Sequence, residues 1–273
     1  MLTMLKRRRL LSLPLAGLAF AESALAQQKR SMADPLRVGV DKALVDSGLA
    51  QALVRAFGAD TGIAVKLVPG TATQVLEALD RGELDAGLTN APDAEIKLEK
   101  QTLVHDRQAI AGGEFVIIGP VVRGKGKAAE DVLGPAVGHD AAVALKNLAA
   151  AATGFTFVSP ADGSGTHVAE QAAWRAAGAA PAAPWYVSLA PGDSLVAQAR
   201  ARGAYAIVEL GAWLAQGGAP LAVRIDADPR MTEEVHVMRS FRVNHPAGKI
   251  FVAWIASGKG RRVAAGHRGY RAP

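Results

Sequence analysis

Apolar and polar positions alternate in short, regular blocks from residue 35 onward. "PLRVGV", Pro35 to Val40, is a near-continuous apolar run of strand length, as expected for a strand buried on both faces. Residues 46–58, "DSGLAQALVRAFG", repeat at helical spacing. Leu49, Leu53, Val54 and Phe57 form the inner face, with Asp46 or Ser47 as cap. "IAVKLVPG" predicts a second strand, "ATQVLEALDRGE" a helix, "LDAGLTN" a short strand and "DAEIKLEK" a helix. This β-α-β-α-β-α order implies a parallel sheet covered by helices on both faces.

"QAIAGGEFVIIGP" is long, apolar and extended, and it predicts a crossing from the first sheet to a second. "VVRGKGKAAEDVLGPAVGHD" reads as looser chain. The helix "AAVALKNLAAAAT" and the strand "GFTFVS" follow. After that strand comes "VSPADGSGTHVAEQAAWRAAG", where caps and small residues precede a run of helix formers. "PWYVSLA" reads as extended, "GDSLVAQARARG" as a helix, "AYAIVEL" as a strand, "GAWLAQG" as a helix and "LAVRIDAD" as extended. The tail predicts a strand over "EVHVMRSFRVN" and two helices within "AGKIFVAWIASGKGRRVAAGHR". The expected fold class is α/β with two lobes: 35–119, then 120–222, then a return segment, 223–270, to the first lobe. A ligand would sit in the cleft, where helices that follow sheet strands point their N-termini.

Composition narrows the function. Half of the 273 residues are apolar and few are aromatic, so the core rests on small side chains. The net charge of +6 suggests a polyanionic partner until the N-terminus is set aside. Removing Lys6, Arg7, Arg8, Arg9 and Glu22 from 31 basic and 25 acidic residues leaves 27 and 24. No basic helix or aromatic-basic array remains, so nucleic acid is not an expected partner. The absence of Cys excludes thiol catalysis, disulfides and an acylated-Cys anchor. "MLTMLKRRRLLSLPLAGLAFAESALAQQ" has a basic start, an apolar run and Ala24-Leu25-Ala26 as a cleavage site. Residues 1–26 therefore read as a signal peptide, of Sec or twin-arginine type, and the expected location is the periplasm.

Order and spacing along residues 36–268 resemble the periplasmic tungstate-binding proteins of ABC transporters, a branch of the type II periplasmic binding fold. The resemblance is carried by "RVGVDKALVDSGLAQALVRAFGADTG", by "GEFVIIGP", by "FTFVSPADGSGTHVAEQAAWRAAGAAPAAPWYVSL" and by "ARARGAYAIVELGAWLA". It implies capture of a small oxyanion of the tungstate or molybdate kind, delivery to an inner-membrane permease, and no catalysis or cofactor. The departures from the family fall on ligand-facing segments. A Thr-Thr-Thr-Ser run after the first strand is replaced by Asp41, Lys42, Ala43 and neighbours, while Ser47-Gly48-Leu49 keeps the family's Ser-Gly-Leu. The family's arginine in Ser-Arg-Gly-Asp is Pro160 here. A Thr-Asp-Arg becomes Val208-Glu209-Leu210, an Asn-Pro-Tyr region becomes Thr232-Glu233-Glu234, and a Val-His becomes Thr89-Asn90.

Anion sites are built from hydroxyls, backbone N–H groups and Arg, and Arg to Pro removes a fixed charge and five donors. The expected ligand-binding residues are Asp41, Lys42, Ser47, Gly48, Ser164, Gly165, Thr166 and Glu209. Each has a plainer reading: Ser164 and Thr166 as helix caps, Asp41 and Lys42 as a surface ion pair. His167, a lone His, is more simply structural, and the six His lack metal-site spacing. "ADGSG" is not a nucleophile elbow, so neither a catalytic residue nor a metal site is expected. The alternatives to an oxyanion binder are the same fold with a zwitterionic or polar organic ligand, or a periplasmic sensor with a degenerate cleft. The protein is expected to be a monomer.

Overall fold

A computed structural model describes residues 30–121, 132–134 and 138–273. The signal-peptide reading of residues 1–26 and the turn "RGKGKAA" lie outside them.

The first strand, β1 (Leu36–Asp41), buries Leu36, Val38 and Val40 and pairs in parallel with β2 (Val65–Gly70) and β3 (Ala86–Thr89). The predicted helix between β1 and β2 is two helices, α1 (Lys42–Asp46) and α2 (Leu49–Thr61). The break falls at Gly48, whose φ of +82° is open to glycine at little steric cost. Asp46 thus closes α1 rather than capping α2. The predicted inner face of α2 is retained in Leu49, Leu53 and Phe57, and Phe57 meets Phe251 edge-on at 5.1 Å. α3 (Ala72–Arg81) opens on a capping box in which Thr71 and Gln74 satisfy each other's backbone N–H. It then packs Val75 and Leu79 onto the sheet. α4 (Pro92–Lys100) follows β3.

β4 (Val104–Pro120) is the predicted crossing, and it is longer than expected at 17 residues. Residues 104–114 pair with β9 (Thr232–Ser240), and residues 115–120 pair with β7 (Ala206–Glu209) and β8 (Leu221–Ile225). The path through the seven-stranded sheet is β2-β1-β3-β9-β4-β7, with β8 also on β4. The sheet is mixed, because every pairing of β4 and β9 is antiparallel. A chain that crosses between halves and comes back must run against itself.

The second half contains α5 (Ala141–Ala151), β5 (Phe157–Ser159), α6 (Gly165–Ala176), β6 (Tyr186–Ser188), α7 (Leu195–Arg202) and α8 (Leu210–Gln216). β5 and β6 form a parallel pair. Half of the chain's fourteen aromatics lie here. Phe157, Trp174, Trp185 and Tyr186 contact one another at centroid distances of 5.2 to 6.5 Å, so this core does not rest on small residues alone. α9 (Pro246–Ile255) and α10 (Gly258–Ala265) return to the first half, with Phe251, Val252 and Ile255 in its core. No helix of the described residues is long and apolar enough to cross a membrane.

Candidate functional site

The C-terminal ends of β1, β3, β5 and β7 converge, where open α/β sheets place ligands. Each end carries a buried polar residue: Asp41, Asn90, Ser159 and Glu209. A cavity of about 50 Å³ opens there, room for roughly three or four waters.

Asp41 is fully buried. Its Oδ1 accepts from the Ala43 N–H at 3.0 Å, capping α1. Its Oδ2 accepts from the Gly165 N–H at 3.2 Å, which belongs to the first turn of α6 in the other half. A helix N-terminus is an anion-binding position, and at this one the anion is an internal carboxylate. Burial raises the Asp41 carboxyl to about 6, against the lowering effect of those two N–H groups, and the Asp162 charge adds to the rise.

The start of α6 is tightly self-bonded. Ser164 is the N-cap, its Oγ accepting from the His167 N–H at 3.2 Å. Asp162 Oδ1 accepts from the Ser164 N–H at 3.0 Å, and His167 Nδ1 accepts from the Gly163 N–H at 3.1 Å. His167 is thus part of the local turn. Gly165 has no room for a side chain, since a Cβ would lie 1.9 Å from Asn90 Oδ1. The two halves also meet where Thr73 Oγ1 donates to the Gly163 carbonyl at 2.9 Å, and where Lys42 Nζ lies 3.8 Å from Asp162 Oδ2.

Glu209 is buried at the end of β7. Asn90 Nδ2 donates both to Glu209 Oε1 at 3.2 Å and to Glu233 Oε1 at 2.8 Å. Burial raises both carboxyls above the ordinary range, Glu209 strongly, and the Glu233 charge adds to the rise at Glu209. Tyr270, also pushed up by burial, donates its hydroxyl to Ser47 Oγ at 2.9 Å.

Of the eight residues singled out from the sequence, Asp41, Lys42, Ser164, Thr166 and Glu209 line the cavity, and Gly165 supplies the N–H to Asp41. Ser47 and Gly48 are not among the lining residues. They make the α1–α2 turn, where the Ser47 carbonyl lies 2.7 Å from His267 Nε2. The lining also includes Asp46, Asp162, Asp193 and Pro160. Lys42 is the one Lys or Arg among the lining residues. Sequence reasoning noted Asn90 and Glu233 as departures from the family but did not place them at the site. Their signal is contact across 143 positions, which a periodicity does not carry.

A family model described as "PBP superfamily domain" matches residues 26–257, most of the chain. The chain belongs to that family. The tungstate-binding protein of Peptoclostridium acidaminophilum is 27% identical over 97% of this chain and 93% of its own length. Among solved structures, the tungstate ABC transporter protein of Geobacter sulfurreducens superposes with a TM-score of 0.70 at 25% identity, covering 85% of this chain and 98% of that one. The tungstate-binding protein of Desulfovibrio alaskensis G20 has a TM-score of 0.66 at 23% identity, over 88% and 99% of the two chains, and supports the fold. The α/β fold of this PBP-superfamily chain therefore agrees with the sequence resemblance. Among the described residues, no group of three His, Asp or Glu side chains is placed to hold a metal ion.

Proposed function

We propose that this protein is the solute-binding component of an ABC importer, and that its ligand is a small zwitterionic or polar organic solute, not a tungstate-like dianion. In this reading residues 1–26 direct export to the periplasm. The mature monomer holds its ligand between lobes 35–119 with 223–270 and 120–222, and hands it to an inner-membrane permease without chemical change.

One observation carries the choice of ligand: the Asp41 carboxylate accepts from Gly165 at the start of α6. A dianion entering there meets Asp41, Asp162 and Asp193, with Pro160 where the family resemblance puts a neutralising arginine. Uncompensated like charges in a buried site cost several kcal/mol. Lys42, itself beside Asp162, is a single countercharge. The oxyanion reading keeps the support of the relatives and of the Ser164–Thr166 hydroxyls, so both are tested together. A thermal-shift panel of tungstate, molybdate, sulfate, amino acids and small amines is the experiment. We expect stabilisation by organic solutes and none by the oxyanions. Stabilisation by tungstate or molybdate at about 10 µM would restore the oxyanion reading.

A further inference from the structure

The last residues of the chain touch both halves and the strand that joins them. β4 passes from β9 to β7 between Glu114 and Phe115, just after the pair Gly112-Gly113. At that junction the Gly112 N–H donates to the Arg271 carbonyl at 3.0 Å, and the Arg271 N–H donates to the Gly112 carbonyl at 2.8 Å. A Cβ on Gly112 would lie 3.4 Å from Arg271 Cγ and from the Ala272 carbonyl oxygen. The tail therefore lies flat against the junction.

Tyr270 is buried and stands between the halves. On one side its hydroxyl donates to Ser47 Oγ at 2.9 Å, and His267 Nε2 lies 2.7 Å from the Ser47 carbonyl. Ser47 Oγ also donates to the Leu44 carbonyl at 3.2 Å and accepts from the Leu49 N–H at 3.3 Å. The ring thus has the α1–α2 turn of the first half as a firm backing. On its other side it presses on Gly211, in the first turn of α8. A Cβ there would lie 2.6 Å from Tyr270 Cε2 and 2.9 Å from its hydroxyl oxygen. The backbones touch as well, since a Cβ on Gly269 would lie 2.6 Å from the Gly211 Cα. Glycine is the residue that allows backbone to approach so closely. α8 is seated on the tail through two glycines, and Glu209 and Ala212, which flank Leu210-Gly211, line the cavity.

We propose that Tyr270 is a positioning residue of the cleft. Its ring is a spacer that sets how closely α8, with the cavity wall beside it, approaches the first half. Packed atoms resist compression. With Ser47 behind the ring and Gly211 in front of it, α8 comes no nearer than the ring allows. Carbon atoms pack at about 3.5–4.0 Å, so any side chain at position 211 drives ring and helix apart by about 1 Å. In a cavity of about 50 Å³, a wall shift of that size changes what fits. In the solute-binding role proposed above, on which this rests, the spacer fixes the size of the ligand and not its charge.

The chain has no Cys, so spin labels at Lys97→Cys on α4 and Arg175→Cys on α6, both exposed, read the distance between the halves by double electron–electron resonance. The full chain is measured without added solute. Gly211→Ala should lengthen the mean distance by about 1 Å or more. Adding Tyr270→Leu removes the ring atoms that the new methyl meets, and should restore the parent distance, which a general loss of packing would not do. Tyr270→Phe keeps the ring and should leave the distance unchanged. Circular dichroism shows which variants fold. If Gly211→Ala does not, Tyr270→Leu alone decides: a distribution reaching shorter distances supports the spacer, and the parent distribution overturns it. A distance unmoved by Gly211→Ala in a folded chain, or a lengthening that Tyr270→Leu fails to reverse, also overturns it. So does a Tyr270→Phe chain that moves as far as Gly211→Ala, because the hydroxyl bond would then set the spacing. The thermal-shift panel judges the binding role separately, so either can fail without the other.

Discussion

Adjacent residues at the end of β3 face two buried acidic sites built on opposite terms. Thr89 Oγ1 donates to Glu95 Oε1 at 2.7 Å, and the Ala91 N–H donates to the same oxygen at 2.9 Å. Arg107 Nε donates to Glu95 Oε2 at 3.0 Å. Arg107 also reaches His236 Nε2 at 3.0 Å, and His236 Nδ1 lies 3.0 Å from Glu95 Oε2. Every demand of that carboxylate is met. Asn90, one residue on, serves Glu209 and Glu233, which have no cation placed between them and keep free oxygens. Side chains alternate along an extended chain, so two neighbouring residues divide the two environments. A carboxylate met by donors on both oxygens and by a cation holds a fold together, even with His236 Nδ1 beside it short of a hydrogen bond. A network short of donors and positive charge leaves its carboxyls raised.

The comparison breaks most visibly at Arg107. Arg107→Ala leaves Glu95 buried without its cation, and we expect a loss of about 3 kcal/mol or more, read as a lowered urea midpoint with an unchanged slope. The second effect is of similar size and comes from pH. Asp41 is raised from 3.8 to about 6, and Glu170, buried beside the Tyr186 hydroxyl, from 4.5 to about 7. Between those values the folded protein holds protons that the unfolded chain has released. Stability therefore falls as pH rises from about 4 to about 7. The Asp41 share is about 3 kcal/mol for a shift of roughly two units. Asp41→Asn should flatten that part of the profile in denaturant melts at pH 4, 5, 6 and 7. Asp228, held to about 2 mainly by Arg230, works in the opposite sense. Its contribution is present above about 4 and is lost only as pH falls toward 2, outside this window.

A smaller effect sharpens the contrast. Glu209→Gln removes a carboxyl that no cation compensates. We expect stability at pH 8 to be unchanged or raised by about 1 kcal/mol, where Arg107→Ala is strongly destabilising. The smallest concerns the contact between halves. Thr73→Val loses the bond to the Gly163 carbonyl, and because the pair is exposed we expect about 0.5 kcal/mol. The readout is hydrogen exchange at the start of α6.

Much of the fold was legible from periodicity. β1, β2, α3, β3, α4, β7 and α9 fall within a few residues of their apolar patterns, because each buries one face or both. The α1–α2 break had a local signal in Gly48 that a continuous apolar face concealed. The antiparallel pairings of β4 and β9 were not legible, since they depend on where the chain returns. At the site, the sequence resemblance drew attention to Pro160, and Pro160 lines the cavity. The partner of the α6 start could not, because Asp41 and Gly165 are 124 positions apart. Ser47 and Gly48, expected as ligand-binding residues, lie in the turn between α1 and α2 and are not among the lining residues.

The central claim is that Asp41 holds the α6 N-terminus in the place of a bound anion. The most direct measurement follows the Gly165 amide by 1H–15N NMR as pH goes from 8 to 4, with and without about 1 mM tungstate. The account predicts a titration of that amide with a midpoint near the Asp41 value of about 6, lost in Asp41→Asn and unmoved by tungstate. A Gly165 amide that ignores pH and shifts on adding tungstate would contradict it.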